Sequence, residues 1–162
     1  MKAMTLYRIA HFFYKKHIPV LPQIFYRLIY LVNNCHVHYQ TEIGEGTVLA
    51  YGGVGVVIHR YAQIGKNCVI ESNVTIGGRN NIPRVPVLGD NVFVGTGAKI
   101  LGDVRIGDNS VIGANAVVIR DVPANCSVAG VPARILHENI NIAEKSNLNQ
   151  IVKASRVKVE SE

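Results

Sequence analysis

The feature that most constrains this chain is a period of six. From Ile58 onward, aliphatic residues recur at Ile58, Ile64, Ile70, Ile76, Ile82, Leu88, Val94, Ile100, Ile106, Ile112 and Val118. Four residues after most of them stands a small residue: Ala62, Cys68, Val74, Val92, Ala98, Val104, Ser110, Ala116 and Val122. A helix repeats every 3.6 residues and a plain strand every 2, so neither yields this pattern, whereas a unit of six holds one short strand and one turn. The turns are visible as "IGKNC", "LGDNV" and "IGDNS", where Gly, Asn and Asp accept turn geometry at low cost. Three units close a coil of roughly 18 residues, with the aliphatic and the small residue pointing inward. Coils that touch only their neighbours then stack into a parallel β-solenoid. Earlier, Ile43, Thr47 and Leu49 keep the beat before "AYGGVGVV" shifts it by three. Cys68 and Ser110 read as ordinary inward fillers.

The two ends break the pattern. In residues 4–34, "TLYRIAHFFYKKH" and "LPQIFYRLIYLVNN" carry the faces of two short helices, separated by the proline-containing "IPVLP". Their expected role is to cap the open end of the solenoid, where unpaired strands invite addition. Lys2, Arg8, Lys15, Lys16 and Arg27 give the same segment a route to peripheral contact with an acidic membrane surface. The tail "HENINIAEKSNLNQIVKASRVKVESE" is polar and off register. The chain is therefore read as a helical cap (1–35), a solenoid domain (36–136) and a C-terminal tail (137–162).

Composition narrows the functional classes. With 162 residues, one core is affordable and two domains are not. The formal charge of +6 favours anionic partners, but no nucleic-acid-binding signature accompanies it, so nucleic acid is not expected. Cys35, Cys68 and Cys126 form no zinc-type pair, and an odd count argues against a disulfide framework, which suits a reducing cytoplasm. The opening residues lack the apolar core and small-residue site of a signal peptide. No apolar run approaches the roughly 20 residues needed to span a bilayer.

The hexads, with "NVFVGTGAKILGDVRIGDNSVIGANAVVIRDVPANCSVAGVPARIL" (Asn91 to Leu136), resemble the hexapeptide-repeat acyltransferases, most closely their serine O-acetyltransferase branch. "GTGAKILG" and "AGVPARI" add fixed features to a generic repeat. The resemblance implies a mainly β fold, a left-handed parallel β-helix. It also implies a homotrimer that binds acetyl-CoA, the acetyl donor, between neighbouring subunits. The stretch matching the family's Asp-His pair reads "AYGGVGVVI", so the family's catalytic histidine falls on Tyr51 or Gly52, and a second one falls near Val85. Shorter polysaccharide-cluster relatives resemble the chain more, N-terminal element included, and that shifts the expected acceptor to a sugar hydroxyl. L-serine is the alternative acceptor, and a solenoid that binds without catalysis is the third reading.

Under an 18-residue coil, His59 stacks with Gly77, Gly95 and Gly113, and a titratable ring stands where small residues are usual. His59 is accordingly the expected base toward the acceptor hydroxyl, with Tyr51 as a further candidate catalytic residue. A backbone N–H near Gly77 or Gly78 is expected to steady the oxyanion. The pantetheine arm is expected to pass Gly95, Ala98 and Ala116, with Lys99 and Arg134 near the phosphates of the donor. His38 is read as structural. No three histidines stack suitably, so no metal is expected.

Overall fold

The computed structural model describes residues 3–80 and 84–142. Ile82 of the repeat, Lys2 of the basic segment and the tail from residue 143 onward lie outside the described residues. Two helices come first, α1 (Ala3–Lys15) and α2 (Leu21–Asn33). Short strands follow in coils: β1 (His36–Val37), β2 (Glu42–Ile43) and β3 (Val48–Leu49), then β4 (Val57–Ile58), β5 (Gln63–Ile64) and β6 (Val69–Ile70). The third coil has β7 (Thr75–Gly77), β8 (Val87–Leu88) and β9 (Phe93–Val94), and the fourth β10 (Lys99–Leu101), β11 (Arg105–Ile106) and β12 (Val111–Ile112). β13 (Val117–Val118), β14 (Ser127–Ala129) and β15 (Arg134–His137) complete the order.

These strands form three sheets. The first is β1-β4-β7-β10-β13, the second β2-β5-β8-β11, and the third β3-β6-β9-β12-β14-β15. All neighbouring pairs run parallel except β14 with β15, which turns back antiparallel at the end of the third sheet. The second residue of each strand from β1 to β13 points inward, so Ile58, Ile70, Ile76, Ile100 and Ile112 are almost fully buried. The small residues come inward at the corners, and Ala62, Cys68, Val74, Ala98, Ser110 and Ala116 are all fully buried. The period of six thus sets the core directly, as parallel rungs each covered by the next.

The helices pack on the first coil. Ala3, Leu6, Tyr7 and Ala10 bury one face of α1 against it, and the Tyr7 hydroxyl donates to Thr41 O. Burial raises the Tyr7 phenol to about 12, so that donor persists across the physiological range. Arg8 donates to Ile43 O at 2.7 Å and Gly44 O at 2.6 Å, and Lys15 pairs with Glu42 at 2.6 Å. Two cations of the basic segment are therefore spent on the solenoid itself. No described helix is long and apolar enough to cross a membrane.

The register departs from a uniform 18. Val57 pairs with Thr75, an 18-residue coil, but Thr75 pairs with Lys99, a coil of 24. The extra six residues fall between β7 and β8, where the sequence reads "GRNNIPRVP", and its prolines lack the N–H that a ladder needs. The first coil is also long, since His36 pairs with Val57 across the "AYGGVG" insertion. Within that insertion Tyr51 and Gly52 take left-handed dihedrals, at φ 53° and 70°. His36 therefore belongs to the first strand of the solenoid.

Candidate active site

Each coil has three corners, and the register assigns every candidate residue to one of them. The first corner links the first sheet to the second, and its column runs His38, His59, Gly77, Leu101. The third corner links the third sheet back to the first, and its column runs Ala50, Glu71, Gly95, Gly113. The expected stack of His59 with Gly95 and Gly113 is thereby corrected: the 24-residue coil moves both glycines to another corner. His59 keeps only Gly77 as its neighbour in the next coil. In its true column a side chain is the rule, and the small residue that needs explaining is Gly77.

A Cβ on Gly77 would meet only Thr75 Cγ2 at 3.8 Å, and one on Gly78 only Val85 Cγ1 at 4.0 Å. Nothing among the described residues demands glycine there. Gly95 is the opposite case, because a Cβ would sit 2.7 Å from Ala114 N. Its smallness serves coil-to-coil contact, so it is no measure of room for a pantetheine arm. Ala98 and Ala116 are buried in the core, and only their backbone can face a ligand. Lys99 Nζ donates to Asn73 O at 2.8 Å and Gly97 O at 2.9 Å, while Arg134 lies exposed on β15 with Nη1 3.1 Å from Ala133 O. Tyr51 is exposed at the third corner. Glu71 is buried there and accepts a hydrogen bond from Thr96 Oγ1 at 3.3 Å. One chain thus separates His59, Gly77 and Gly78 from Tyr51, Gly95, Ala98, Lys99, Ala116 and Arg134.

The first corner holds more than the sequence suggested. His59 Nδ1 accepts the N–H of Tyr61 at 3.3 Å, and His38 Nδ1 accepts that of Gln40 at 3.1 Å. Each ring closes its own corner turn through Nδ1, which leaves Nε2 without a partner among the described residues. The Tyr26 ring packs edge-on to His36 and His38 at 5.2 and 5.0 Å, and Tyr39 lies 4.1 Å from His38, centroid to centroid. Burial, then the positive charge of Arg60, pushes the His38 imidazole down from its ordinary 6.5 to about 4. His38 is a neutral donor at physiological pH. Tyr26 and Arg60 carry no motif, but the three-residue shift at "AYGGVGVV" was signal enough to set His38 under His59. Among the described residues no group of three His, Cys, Asp or Glu is placed to hold a metal ion.

Comparison with known proteins bears on this geometry. Residues 86–120 match the family Bacterial transferase hexapeptide (six repeats). The serine acetyltransferase of Synechococcus elongatus is 39% identical over 140 residues, covering 85% of this chain and 57% of that protein. That of Helicobacter pylori strain J99 is 35% identical over 136 residues, covering 83% and 79%. A solved serine acetyltransferase in complex with CoA superimposes with a TM-score of 0.75 at 33% identity, covering 83% of this chain and 55% of the other. The Neisseria gonorrhoeae enzyme in complex with serine gives 0.76 at 36%, covering 82% and 54%. The chain spans little more than half the length of these solved proteins. With a third of its residues shared across four-fifths of the Helicobacter protein, and with the solenoid in place, the chain belongs to the hexapeptide-repeat acetyltransferases, in their serine acetyltransferase-like branch.

Proposed function

We propose that this chain is a cytoplasmic acetyl-CoA-dependent O-acetyltransferase whose acceptor is the hydroxyl of L-serine. The observation that carries the reading is His59 beside the open corner of Gly77 and Gly78, in a chain whose relatives are serine acetyltransferases. This replaces a sugar hydroxyl as the leading acceptor, because the relatives favour serine. The donor and the acceptor are both substrates. His59 Nε2 takes the hydroxyl proton as the oxygen forms its bond to the thioester carbonyl carbon. Backbone N–H groups at the corner steady the oxyanion, the C–S bond breaks, and the imidazolium returns its proton to the departing sulfur.

The ring geometry sets a condition. A neutral imidazole whose Nδ1 accepts the Tyr61 N–H carries its proton on Nε2, so service as a base moves that proton to Nδ1 and breaks the 3.3 Å bond. An exposed bond of that length is worth about 1 kcal/mol or less. General base catalysis contributes roughly 10²–10⁴-fold, several times that energy. The cost is small against the gain.

The separation of the two sets of residues supports a homotrimer. In such an assembly the third corner of one copy, with Tyr51, Gly95, Lys99 and Arg134, packs beside the first corner of the next, and the donor lies in the cleft between them. A second reading, transfer to a sugar hydroxyl in surface polysaccharide synthesis, draws on Tyr51 or Gly52 standing where the family's catalytic histidine is expected. The test is release of CoA thiol from acetyl-CoA with L-serine, free sugars and nucleotide sugars, in wild type and His59→Asn. Asn retains an acceptor for the Tyr61 N–H but has no titrating nitrogen. Serine-driven release that falls roughly 10²–10⁴-fold in the variant is expected. Unchanged turnover in His59→Asn refutes the base, sugar-driven release selects the second reading, and CoA binding without turnover leaves a non-catalytic solenoid.

A further inference from the structure

Helix α2 is apolar on more sides than its packing uses. Pro22 and Ile29 are buried, and Phe25 and Leu28 pack beside them against the core, which is the face a cap needs. Val20, Ile24, Arg27 and Leu31 follow one another at steps of four, three and four, so they form one stripe on the opposite side. Ile24 is 52% exposed, Val20 59% and Leu31 78%. Arg27 is the one charged side chain in the 13 residues of α2, and a helix this apolar all round is normally covered on both sides.

The turn before α2 extends the stripe. The Leu21 N–H donates to Pro19 O at 2.9 Å, closing a three-residue turn in which Val20 takes φ 73° and ψ −50°. A β-branched residue is strained in that region. Val20 is nevertheless held there exposed, with Ile18 and Ile24 exposed to either side of it in the chain.

Charge narrows what can cover this face. Lys2, Arg8, Lys15, Lys16 and Arg27 all precede Glu42, the first acidic residue of the sequence. Arg8 and Lys15 bond to the first coil, whereas Lys16 and Arg27 are exposed and form no ion pair among the described residues. The Lys16 ammonium stands 5.9 Å from the ring centroid of Phe12, itself exposed on the side of α1 away from the solenoid. A second copy docked by the same face would set cation against cation with no carboxylate between them. An anionic lipid surface suits both properties, since the acyl boundary takes the apolar residues and the headgroups take the cations.

We infer that the outer face of α2 and the turn before it dock the protein on an anionic membrane surface. Ile18, Val20, Ile24 and Leu31 enter the acyl boundary, and Lys16 and Arg27 reach the headgroups with their stems along it. The chain lies on the bilayer and does not cross it through its described helices, which are too short. Docking is independent of the acceptor, because none of these residues belongs to the candidate active site.

The experiment is co-sedimentation of the full chain with vesicles of phosphatidylcholine alone and of equal parts phosphatidylcholine and phosphatidylserine, at low and high salt. Binding to the mixed vesicles is expected to exceed binding to the neutral ones roughly tenfold or more, and to fade as salt screens the headgroups. Lys16→Gln with Arg27→Gln should weaken it roughly tenfold, and Ile24→Ser with Leu31→Ser at least as much. Every altered side chain is exposed, so both double variants should keep the wild-type urea midpoint, which separates loss of docking from loss of fold. Equal binding to neutral and anionic vesicles overturns the inference, as does binding to neither. Undiminished binding in either double variant places the contact elsewhere on this basic chain and overturns it too. Sedimentation velocity without lipid tests the other occupant: if Ile24→Ser with Leu31→Ser reduces the size of the assembly, a second copy covers the stripe and the membrane surface does not.

Discussion

The first and second corners of the solenoid are built from the same hexad, yet they solve different problems. At the second corner, between the second and third sheets, the chain reads Gly65-Lys66-Asn67, Gly89-Asp90-Asn91 and Gly107-Asp108-Asn109. Each turn there is locked to the next. Asp90 Oδ1 accepts the Lys66 N–H at 2.7 Å, Asp108 Oδ1 accepts that of Asp90 at 2.8 Å, and the Asn91, Asn109 and Asn125 amides form a ladder with 3.1 Å steps. A Cβ on Gly44 would lie 2.5 Å from Gly65 O. The first corner has no such ladder. Two of its turns are closed by their own histidines, Gly77 and Gly78 meet only ordinary contacts among the described residues, and Arg60 is exposed. Repetition is spent on cohesion at one corner and relaxed at the other, and the relaxed corner is where chemistry fits.

The sharpest way to break that contrast is to place the same methyl group at both corners. In Gly65→Ala the new Cβ runs into Gly89 O and Asp90 Oδ1, one of them backbone of the next coil. Overpacking a rung that cannot move away costs about 3 kcal/mol, read as a lower urea midpoint at unchanged slope. In Gly77→Ala the Cβ meets Thr75 Cγ2 at 3.8 Å and little else, so stability stays within about 0.5 kcal/mol of wild type. Turnover in Gly77→Ala is expected to drop roughly tenfold or more, since displacing a reactant by about 1 Å costs up to 10²-fold. Equal destabilisation by both substitutions would end the distinction between the corners.

A smaller effect is expected from the asparagine ladder. Asn109 sits at φ 56° and makes one amide bond to each neighbouring rung. Asn109→Ala loses both bonds and leaves in the left-handed region a residue without the short polar side chain that lets Asn tolerate it, for a combined cost of about 2 kcal/mol in urea unfolding. Asn109→Gly removes the backbone part and should recover about half. If the two variants unfold together, the ladder rather than the turn geometry sets the cohesion of this corner.

The solenoid was legible because its core obeys a strict period: Ile58, Ile70 and Ile100 face inward where the hexad puts them. The helices were legible from their apolar faces and the prolines between them. Corner assignment was not, because one loop of six residues is invisible to a period of six. "GGRNNIPRVP" keeps Leu88 on the beat while turning everything after it by one corner, and that is why Gly95 was set above His59. His38 was passed over for a related reason, since its partnership with His59 exists only across a coil lengthened by three. Tyr26 and Arg60 reach the corner through tertiary packing and side-chain length, on which periodicity is silent.

The pH dependence of stability probes the first corner more gently. His38 has its pKa pushed to about 4 in the folded chain, against 6.5 as the ordinary value. Above pH 6.5 the ring is neutral in both states and contributes nothing to the difference. Between 6.5 and 4 the unfolded chain binds a proton that the folded chain refuses, so unfolding becomes easier as pH falls through that window. His38→Asn keeps an acceptor for the Gln40 N–H and removes the titration. Wild type should therefore lose more stability than the variant between pH 7 and pH 4.5, by no more than about 1 kcal/mol because the ring is only partly shielded from water. Urea unfolding of both proteins at several pH values reads this difference. No second-corner residue is a histidine, so Asn109→Gly should follow the wild-type slope throughout. Parallel slopes for wild type and His38→Asn would mean that the His38 ring accepts its proton at the ordinary pH, and that neither its burial nor Arg60 bears on it.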